Sequence, residues 1–545
     1  MARSQPNPAA ARARLGPFLN TLIVAGGYLL SRVLGLARDI IISAQFGTRP
    51  ELDAYRATFN ILDLIYLVVA GGALGSAFIP VFAGFLAEQR EDDAWRLAGS
   101  LLNWVLIALL AACVLIALLA DPLVALTVGS GFDPPKRALT AQILRLLLIQ
   151  PVLLGLGGLA KATLESFDQF TLPAIGANLY NIGIIGGALL AHWLGIGGLV
   201  WGVVAGAALF LLVQLPGLRG VGARYTPVLR LDTPGLRQVG RLLGPRLFGQ
   251  SAWQINMIAI ASFASLLGNG AVAANGYALQ LMLLPHGLIA LSLGTVMFPQ
   301  LARHYAAGDM AALRAAALAG VRSVLFLALP AAALLAILRL PVLRLLYQRG
   351  QFDATSTALT AGALGFYALG LVAFAAAEIL VRTFYAMRDT RTPVYIGIGA
   401  VLLNIALGWT LLRLRANLGM LALAFSVANT AEATTLLWLL RPRIGSLGRD
   451  FWGAFIRMLA ATLACAAALL ALLWISRPAL PFLQSGDTYR WPADFVSLAL
   501  WLAGAGALGM LVYGGVALAL RLEEIRATLR RVRGLLVRLR GFRGG

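Results

Sequence analysis

The ten residues SRVLGLARDI, Ser31 to Ile40, place Arg32, Arg38 and Asp39 inside a run that otherwise has the composition of a membrane-spanning helix. An arginine at the centre of a bilayer costs about 3 kcal/mol on insertion scales, so it is kept where it faces water, a ligand or a partner. A guanidinium binds phosphate through two parallel, charge-assisted hydrogen bonds. Helical periodicity brings Arg32 and Asp39 within roughly 20° of one another, two turns apart, and turns Arg38 about 120° away from Arg32. Gly35 lies on the Arg32–Asp39 stripe and leaves room for a backbone or a ligand. Two readings stay open. Either the arginines line a cavity and hold an anion, or Arg38 and Asp39 sit at the membrane interface while Arg32 pairs with a nearby acid.

The elements that must position these groups are spanning helices. The chain has 545 residues, 60% hydrophobic and only 12% charged, far from the composition of a soluble domain. Apolar runs of about 20 residues, each long enough to cross a bilayer as a helix, follow one another along most of it. Their pattern predicts an all-α polytopic membrane protein with 14 spans between residues 17 and 519. The alternation of a lipid-facing β-barrel is missing. The net charge of +21 is spread over the loops between spans, which argues against nucleic acid and for the positive-inside rule. That rule puts both termini in the cytoplasm; the loop with Arg339, Arg344 and Arg349 is an exception on the other side. Cys113 and Cys465 read as packing residues, and His192, His286 and His304 are scattered, so no metal site and no cofactor are expected. No P-loop, HExxH or nucleophile elbow is present, so an enzyme is not expected. The N-terminus shows no cleavable signal pattern. The tail RATLRRVRGLLVRLRGFR reads as a basic segment lying on anionic lipid.

The chain also repeats itself. GSAFIPVF, with Gly75 and Pro80, returns as GTVMFPQL, with Gly294 and Pro299. Pro122, Phe132 and Asp133 return as Pro341, Phe352 and Asp353. ESFDQFTLP, ending at Pro173, matches YAMRDTRTP, ending at Pro393, and RVLG from Arg32 matches RLFG from Arg246. Four matches in order at nearly one offset indicate two homologous halves in parallel topology, an arrangement found in transporters. The predicted organisation is a cytoplasmic N-terminus (1–16), a first six-helix bundle (17–217), a linker (218–238), a second six-helix bundle (239–440), two additional helices (441–519) and a basic cytoplasmic tail (520–545).

Other polar groups fall inside the spans. Asp63 and Arg145 read as groups that neutralise neighbours. Glu378 and Glu432 are candidates for carrying a coupling proton or cation, or for pairing within the membrane. Asn178, Asn181, Asn256 and Asn404 read as interhelical hydrogen-bond makers.

Several of these segments resemble the MurJ (MviN) family of lipid II flippases. SRVLGLARDIIISAQFG followed by DAY at Asp53–Tyr55, GALGSAFIPVF, SAWQIN, LGTVMFPQLAR, YQRGQFD and RTFYAMRDTRTPV carry the resemblance, which covers the whole repeated region. It implies the multidrug/oligosaccharidyl-lipid/polysaccharide exporter fold: two six-helix bundles forming a V around a central cationic cavity, with the last two helices making a lipid-facing groove. It implies a multi-pass protein of the bacterial plasma membrane that flips a polyprenyl-pyrophosphate glycolipid, the undecaprenyl-linked peptidoglycan precursor, to the outer leaflet by alternating access. Under it, Arg32, Arg38, Asp39 and Asp53 match the family's charged positions, and the arginines hold pyrophosphate. Tyr66 and Gln280 stand at substrate-site positions where the family usually has arginines. Gly71 replaces an acid, and Ile260 stands where some members have an acid of a sodium site. The loss of those charges leaves other readings in play: a flippase for another lipid-linked glycan, a multidrug antiporter of the same fold, or a non-transporting scaffold for cell-wall synthesis proteins. The resemblance leaves the energy source open between membrane potential and a coupling ion. If Glu432 is the coupling acid, Glu432→Gln abolishes transport at normal expression; unchanged transport in a complementation assay rules that role out.

Overall fold

A computed structural model describes residues 8–526, apart from 71, 415, 416, 485 and 487. Gly71, the tail beyond Arg526 and the first seven residues, all of which carried sequence expectations, lie outside the described residues, as do the side chains of Arg12, Arg14 and Arg246. Helix is the only regular secondary structure among the described residues, with no strand. Two compact units divide at Asn269 and Gly270. The first contains α1 (Pro8–Phe46), α2 (Pro50–Ala70), α3 (Gly72–Ala87), α4 (Glu91–Leu118), α5 (Ala120–Leu126), α6 (Pro134–Leu147), α7 (Ile149–Ser166), α8 (Thr171–Leu189), α9 (Ala191–Leu194), α10 (Ile196–Leu212), α11 (Leu215–Gly220) and α12 (Leu236–Ser265). The second contains α13 (Ala271–His286), a π-helical turn (Gly287–Leu291), α14 (Ser292–Ala306), α15 (Met310–Ile337), α16 (Arg339–Leu346), α17 (Ala354–Ala386), α18 (Arg391–Arg413), α19 (Leu418–Ile444), α20 (Gly448–Ser476) and α21 (Phe495–Ala519). Among the described residues, 11 helical segments are long and apolar enough to cross a membrane. α1 and α12 are 39 and 30 residues long and carry charges within their length, and α2 and α3 are described on either side of residue 71.

In the first unit, α8 and α10 approach until their backbones touch. A Cβ on Gly183 would lie 2.4 Å from the Gly206 Cα, and one on Gly187 2.5 Å from the Gly202 Cα. This is the small-residue packing by which helices associate in lipid, where apolar side chains gain nothing by leaving hydrocarbon. α8 also holds α1: Asn178 Nδ2 donates to the Gly27 carbonyl at 3.4 Å, and Asn181 Nδ2 to Ser31 Oγ at 3.3 Å. The stretch 222–235 between α11 and α12 runs as an extended strap along α4. Thr226 donates to the Trp95 carbonyl, Tyr225 to Asn103 Oδ1, Asn103 to the Val228 carbonyl and Ser100 to the Arg230 carbonyl. Glycines with positive φ, Gly222 and Gly235, bracket the strap. α12 then packs on α2 and α3, with Gln254 Nε2 donating to the Asn60 carbonyl at 3.0 Å. α12 therefore groups with the first unit, one helix beyond the 218–238 linker.

The second unit is built round α17, flanked by α19, α15 and α13. α20 and α21 are fastened to α15 at one end by Tyr513 Oη donating to the Phe326 carbonyl and by Arg322 paired with Glu524 and Glu523. At the other end Arg344 is only 3% exposed. Its guanidinium donates to the carbonyls of Phe482, Gln484 and Gly486 at 2.7, 2.8 and 2.7 Å. Arg349 stacks 4.1 Å from the Trp491 ring centroid, and Arg339 donates to the Ala336 carbonyl. The three arginines that broke the loop-charge pattern thus act locally, as clamps on a loop and a helix end. The motif FYAMRDTRTP also serves packing. Asp389 accepts from the N–H groups of Arg391 and Thr392, from the Thr392 hydroxyl and from Arg443. Burial opposes ionisation of Asp389, but the Thr392 and Arg443 contacts outweigh it and hold the carboxyl at about 2. This cap contributes fully above the ordinary aspartate range and is lost only as pH falls toward that value.

Replacing Arg344 by leucine strands three carbonyls that one charged donor now satisfies. We expect a loss of about 3 kcal/mol, read as a lower thermal midpoint in detergent together with new protease cleavage between Arg477 and Asp494.

Candidate functional site

α1 presents the two arginines differently. Arg38 donates from Nε to Asp39 Oδ1 at 3.2 Å, with Nη2 in ion-pair contact with the same oxygen at 3.2 Å, and from Nη1 to Asn181 Oδ1 at 3.2 Å. Asn181 is itself held by Ser31. One guanidinium edge is therefore fixed, while the side chain remains 25% exposed with donors to spare. Asp39 is buried at 3% exposure. Arg32, six residues earlier, is exposed and has no hydrogen bond or ion pair among the described residues. Nothing lies within 4 Å of where a Gly35 Cβ would be, so the face between the two arginines is open. The pairing foreseen for Arg32 with an acid is made instead by Arg38.

Around Arg38 the first unit gathers further polar groups. The charge of Arg38 is felt by the buried Tyr55 and the half-buried Tyr180. Tyr180 Oη accepts from Gln150 Nε2 at 3.0 Å. On α2, Asp63 is exposed and Tyr66, one turn on, is half-buried; both act electrostatically on Tyr180. Arg38, Asp39, Asp63 and Tyr66 are thus brought into one neighbourhood by α1, α2 and α8. The arrangement suits an anion: one free guanidinium, one braced guanidinium and phenols able to donate. Asp53 is elsewhere. It is fully buried and receives Lys136 Nζ at 2.6 Å; that amine also donates to Asn269 Oδ1 at 3.0 Å and lies 4.1 Å over the Phe132 ring. The pair anchors the start of α2 to α6. Arg145 pairs with Asp121 at 2.5 Å, on an exposed surface away from this group. Ile260 is buried, among apolar neighbours of α12.

The second unit holds the remaining candidates. Glu378 pairs with Arg382 at 2.8 Å one turn along α17, and Arg382 Nη1 reaches Thr295 Oγ1 at 3.1 Å. A Cβ on Gly294 would lie 2.7 Å from the Arg382 Nε, so glycine there makes the seat for the guanidinium. Glu432, on α19, is half-buried beside Gly397 of α18 and has no hydrogen bond or ion pair among the described residues. Tyr385 lies in the field of both Glu378 and Glu432. Gln280 is half-buried on α13. Sequence reasoning passed over Lys136, Gln150, Tyr180 and Arg382. Of these only Arg382 carried a local signal, four residues after a membrane glutamate. Among the described residues no three His, Cys, Asp or Glu side chains converge as a metal site.

Residues 42–482 match the family described as lipid II flippase MurJ. The lipid II flippase MurJ of Burkholderia cenocepacia is 32% identical over 435 residues, 78% of this chain and 84% of that protein. The probable lipid II flippase MurJ of Rhizobium meliloti is 30% identical over 533 residues, 93% and 95% of the two chains. Among solved structures, a lipid II flippase MurJ in an inward closed conformation has a TM-score of 0.73 at 22% identity, covering 90% of this chain and 98% of that one. An inward-facing multidrug resistance transporter of the MATE family scores 0.65 at 17% identity, covering 76% and 95%. These two structural likenesses establish the shared fold, and the match across 42–482 establishes the lineage: the chain belongs to the lipid II flippase MurJ family.

Proposed function

We propose that the protein is a lipid II flippase: a transporter, not an enzyme, that carries the polyprenyl-pyrophosphate-linked peptidoglycan precursor from the inner to the outer leaflet of the bacterial plasma membrane by alternating access. The observation that carries this reading beyond family membership is the pair of first-helix arginines. Arg32 is exposed and unpaired among the described residues, and Arg38 is braced by Asp39 and Asn181 with donors remaining. A pyrophosphate offers several oxygens to such donors. A drug-like cation would instead be repelled by both, which weighs against the multidrug reading of the same fold. Tyr66 supplies a neutral hydrogen-bonding group at a position where the family usually has charge, so within the first unit the headgroup is gripped chiefly from α1.

The reading includes 14 passes and a parallel repeat. α1, α2–α3 and α12 supply three charged passes beside the 11 apolar segments. An even number puts both termini on one side, and the loop arginines argue for the cytoplasm. Backbone features recur at the sequence offset of 219 or 220 residues. The positive-φ residues Gln89 and Asp168 correspond to Gly308 and Arg388. Asp133 caps α6 as Asp353 caps α17, each accepting from the N–H three residues on. Gly75 faces Ala162 where Gly294 faces Arg382. The membrane potential acting on the anionic headgroup is the proposed drive, and the basic tail lies on anionic lipid.

In cells depleted of their own lipid II flippase, the wild-type chain should restore growth. Arg32→Ala should fail at normal membrane levels, with in vitro flipping of labelled lipid II reduced at least about tenfold, the loss of one two-pronged phosphate contact. Arg38→Ala should fail too and also lower the thermal midpoint, because it removes the guanidinium paired with the buried Asp39. Rescue by both variants would move the headgroup site away from α1. A wild type that inserts but does not rescue would point to a different glycolipid.

A further inference from the structure

His286 stands at the end of α13, just before the π-helical turn 287–291, and is 6% exposed. Its Nε2 is buried with no hydrogen-bond partner among the described residues. A wide turn of this kind inside a helix is a common mark of a functional site. The imidazole stacks on Phe374 of α17, with ring centroids 4.3 Å apart. Phe374, Glu378 and Arg382 follow at steps of four along α17 and so form one stripe. Glu378 lies one turn, about 6 Å of rise, from each of the other two. On the facing helix, His286 opposes the Phe374 end of the stripe and Thr295 the Arg382 end. Glu378 is thus midway between an imidazole whose Nε2 has no hydrogen-bond partner among the described residues and a guanidinium that it now holds.

Among the described residues, the charged groups of the elements packed on this turn are paired elsewhere or lie farther along their helices. Glu378 is the charged group whose field reaches His286. α15, which also packs on the π turn, carries Arg314 and Arg322; the first donates to the Ser446 carbonyl and the second is paired with Glu523 and Glu524. On α14, Ser292 Oγ donates to the Gly287 carbonyl, and the titratable Arg303, His304 and Tyr305 come more than two turns later. On α17, Tyr367 is hydrogen-bonded to Asn275, and Tyr385 lies beyond Arg382 toward Glu432. At the repeat offset, the first unit has Leu67, Gly158 and Ala162 where the second has His286, Glu378 and Arg382. The polar stripe is therefore particular to the second unit.

We propose that Arg382 is a proton-gated anion site: a proton taken up at His286 Nε2 draws the Glu378 carboxylate from Arg382 to the imidazolium and leaves the guanidinium open to a phosphate- or sulfate-like group. With His286 neutral, Glu378 neutralises Arg382 and the site is closed, as in this structure. With His286 charged, one carboxylate faces two cations on opposite sides, and an incoming anion supplies the missing charge. Proton uptake and anion binding then reinforce each other by linkage. The geometry stands without the flippase reading; only the identification of the anion with a translocated headgroup rests on it.

Sulfate tests the gate, because it stays dianionic between pH 7.5 and pH 5.5. Sulfate binding by the purified full chain should strengthen on acidification by at least about fivefold, below the hundredfold bound for one proton over two pH units. Arg382→Gln sets the background at both pH values. His286→Gln should bind weakly at both, and Glu378→Gln tightly at both. Wild-type binding that ignores pH, or a pH response that survives in His286→Gln, overturns the proposal. If Glu378→Gln does not insert, histidine NMR decides in a chain with His192→Gln and His304→Gln. An imidazole that charges between pH 7.5 and 5.5 sustains the gate, and one that stays neutral refutes it. A wild type that fails to rescue flippase-depleted cells while keeping this sulfate pattern removes the proposed substrate and leaves the gate.

Discussion

A guanidinium surrounded by hydrocarbon is tolerable only where acceptors meet its planar fork, and this requirement shapes both units. In the first unit Asp39 and Asn181 meet Arg38, and in doing so they tie α1 to α8. In the second, Glu378 and Thr295 meet Arg382 and tie α17 to α14. Arg344 is met by three carbonyls and ties the loop between α20 and α21 to α16. Each of these arginines is therefore a packing feature. Arg32 stands apart in being exposed and unpaired among the described residues, and for that reason it is the residue best placed to serve a ligand.

The membrane class, the helical architecture and the family lay open in the sequence, because apolar run length and first-helix motifs are local properties. The asparagines of α8 were legible for the same reason: a carboxamide in an apolar helix needs a neighbour, and Asn178 and Asn181 have found one in α1. Pairings between distant elements were not legible. Nothing near Asp53 announces Lys136, which lies 83 positions later and is brought in by the α2–α6 contact. Nor does periodicity say which of Arg32 and Arg38 keeps Asp39, since a neighbour one residue away can reach back along the helix surface. α12 belongs with the first unit because of contacts such as Gln254 to Asn60, 194 positions apart, whereas counting spans sets it at the head of the next bundle.

The arginines of the 339–349 segment, which depart from the loop-charge pattern, are each held by local contacts. Positive charge outside the membrane is disfavoured when it must be carried across as a free, hydrated group. Here the charges are spent on a carbonyl cage, a ring face and a helix end.

The strap over residues 222–235 has a mechanical consequence. A free chain of that length reaches roughly 46 Å when extended and would let the helices at its ends drift independently. Tied to α4 through Trp95, Ser100 and Asn103, it has no such slack. Gly235, at its far end, is wedged against Val81, Phe85 and Leu97. The segment is a splint, not a tether: α4 and the beginning of α12 are obliged to travel as one body, and any flexing of α12 has to arise within the helix itself.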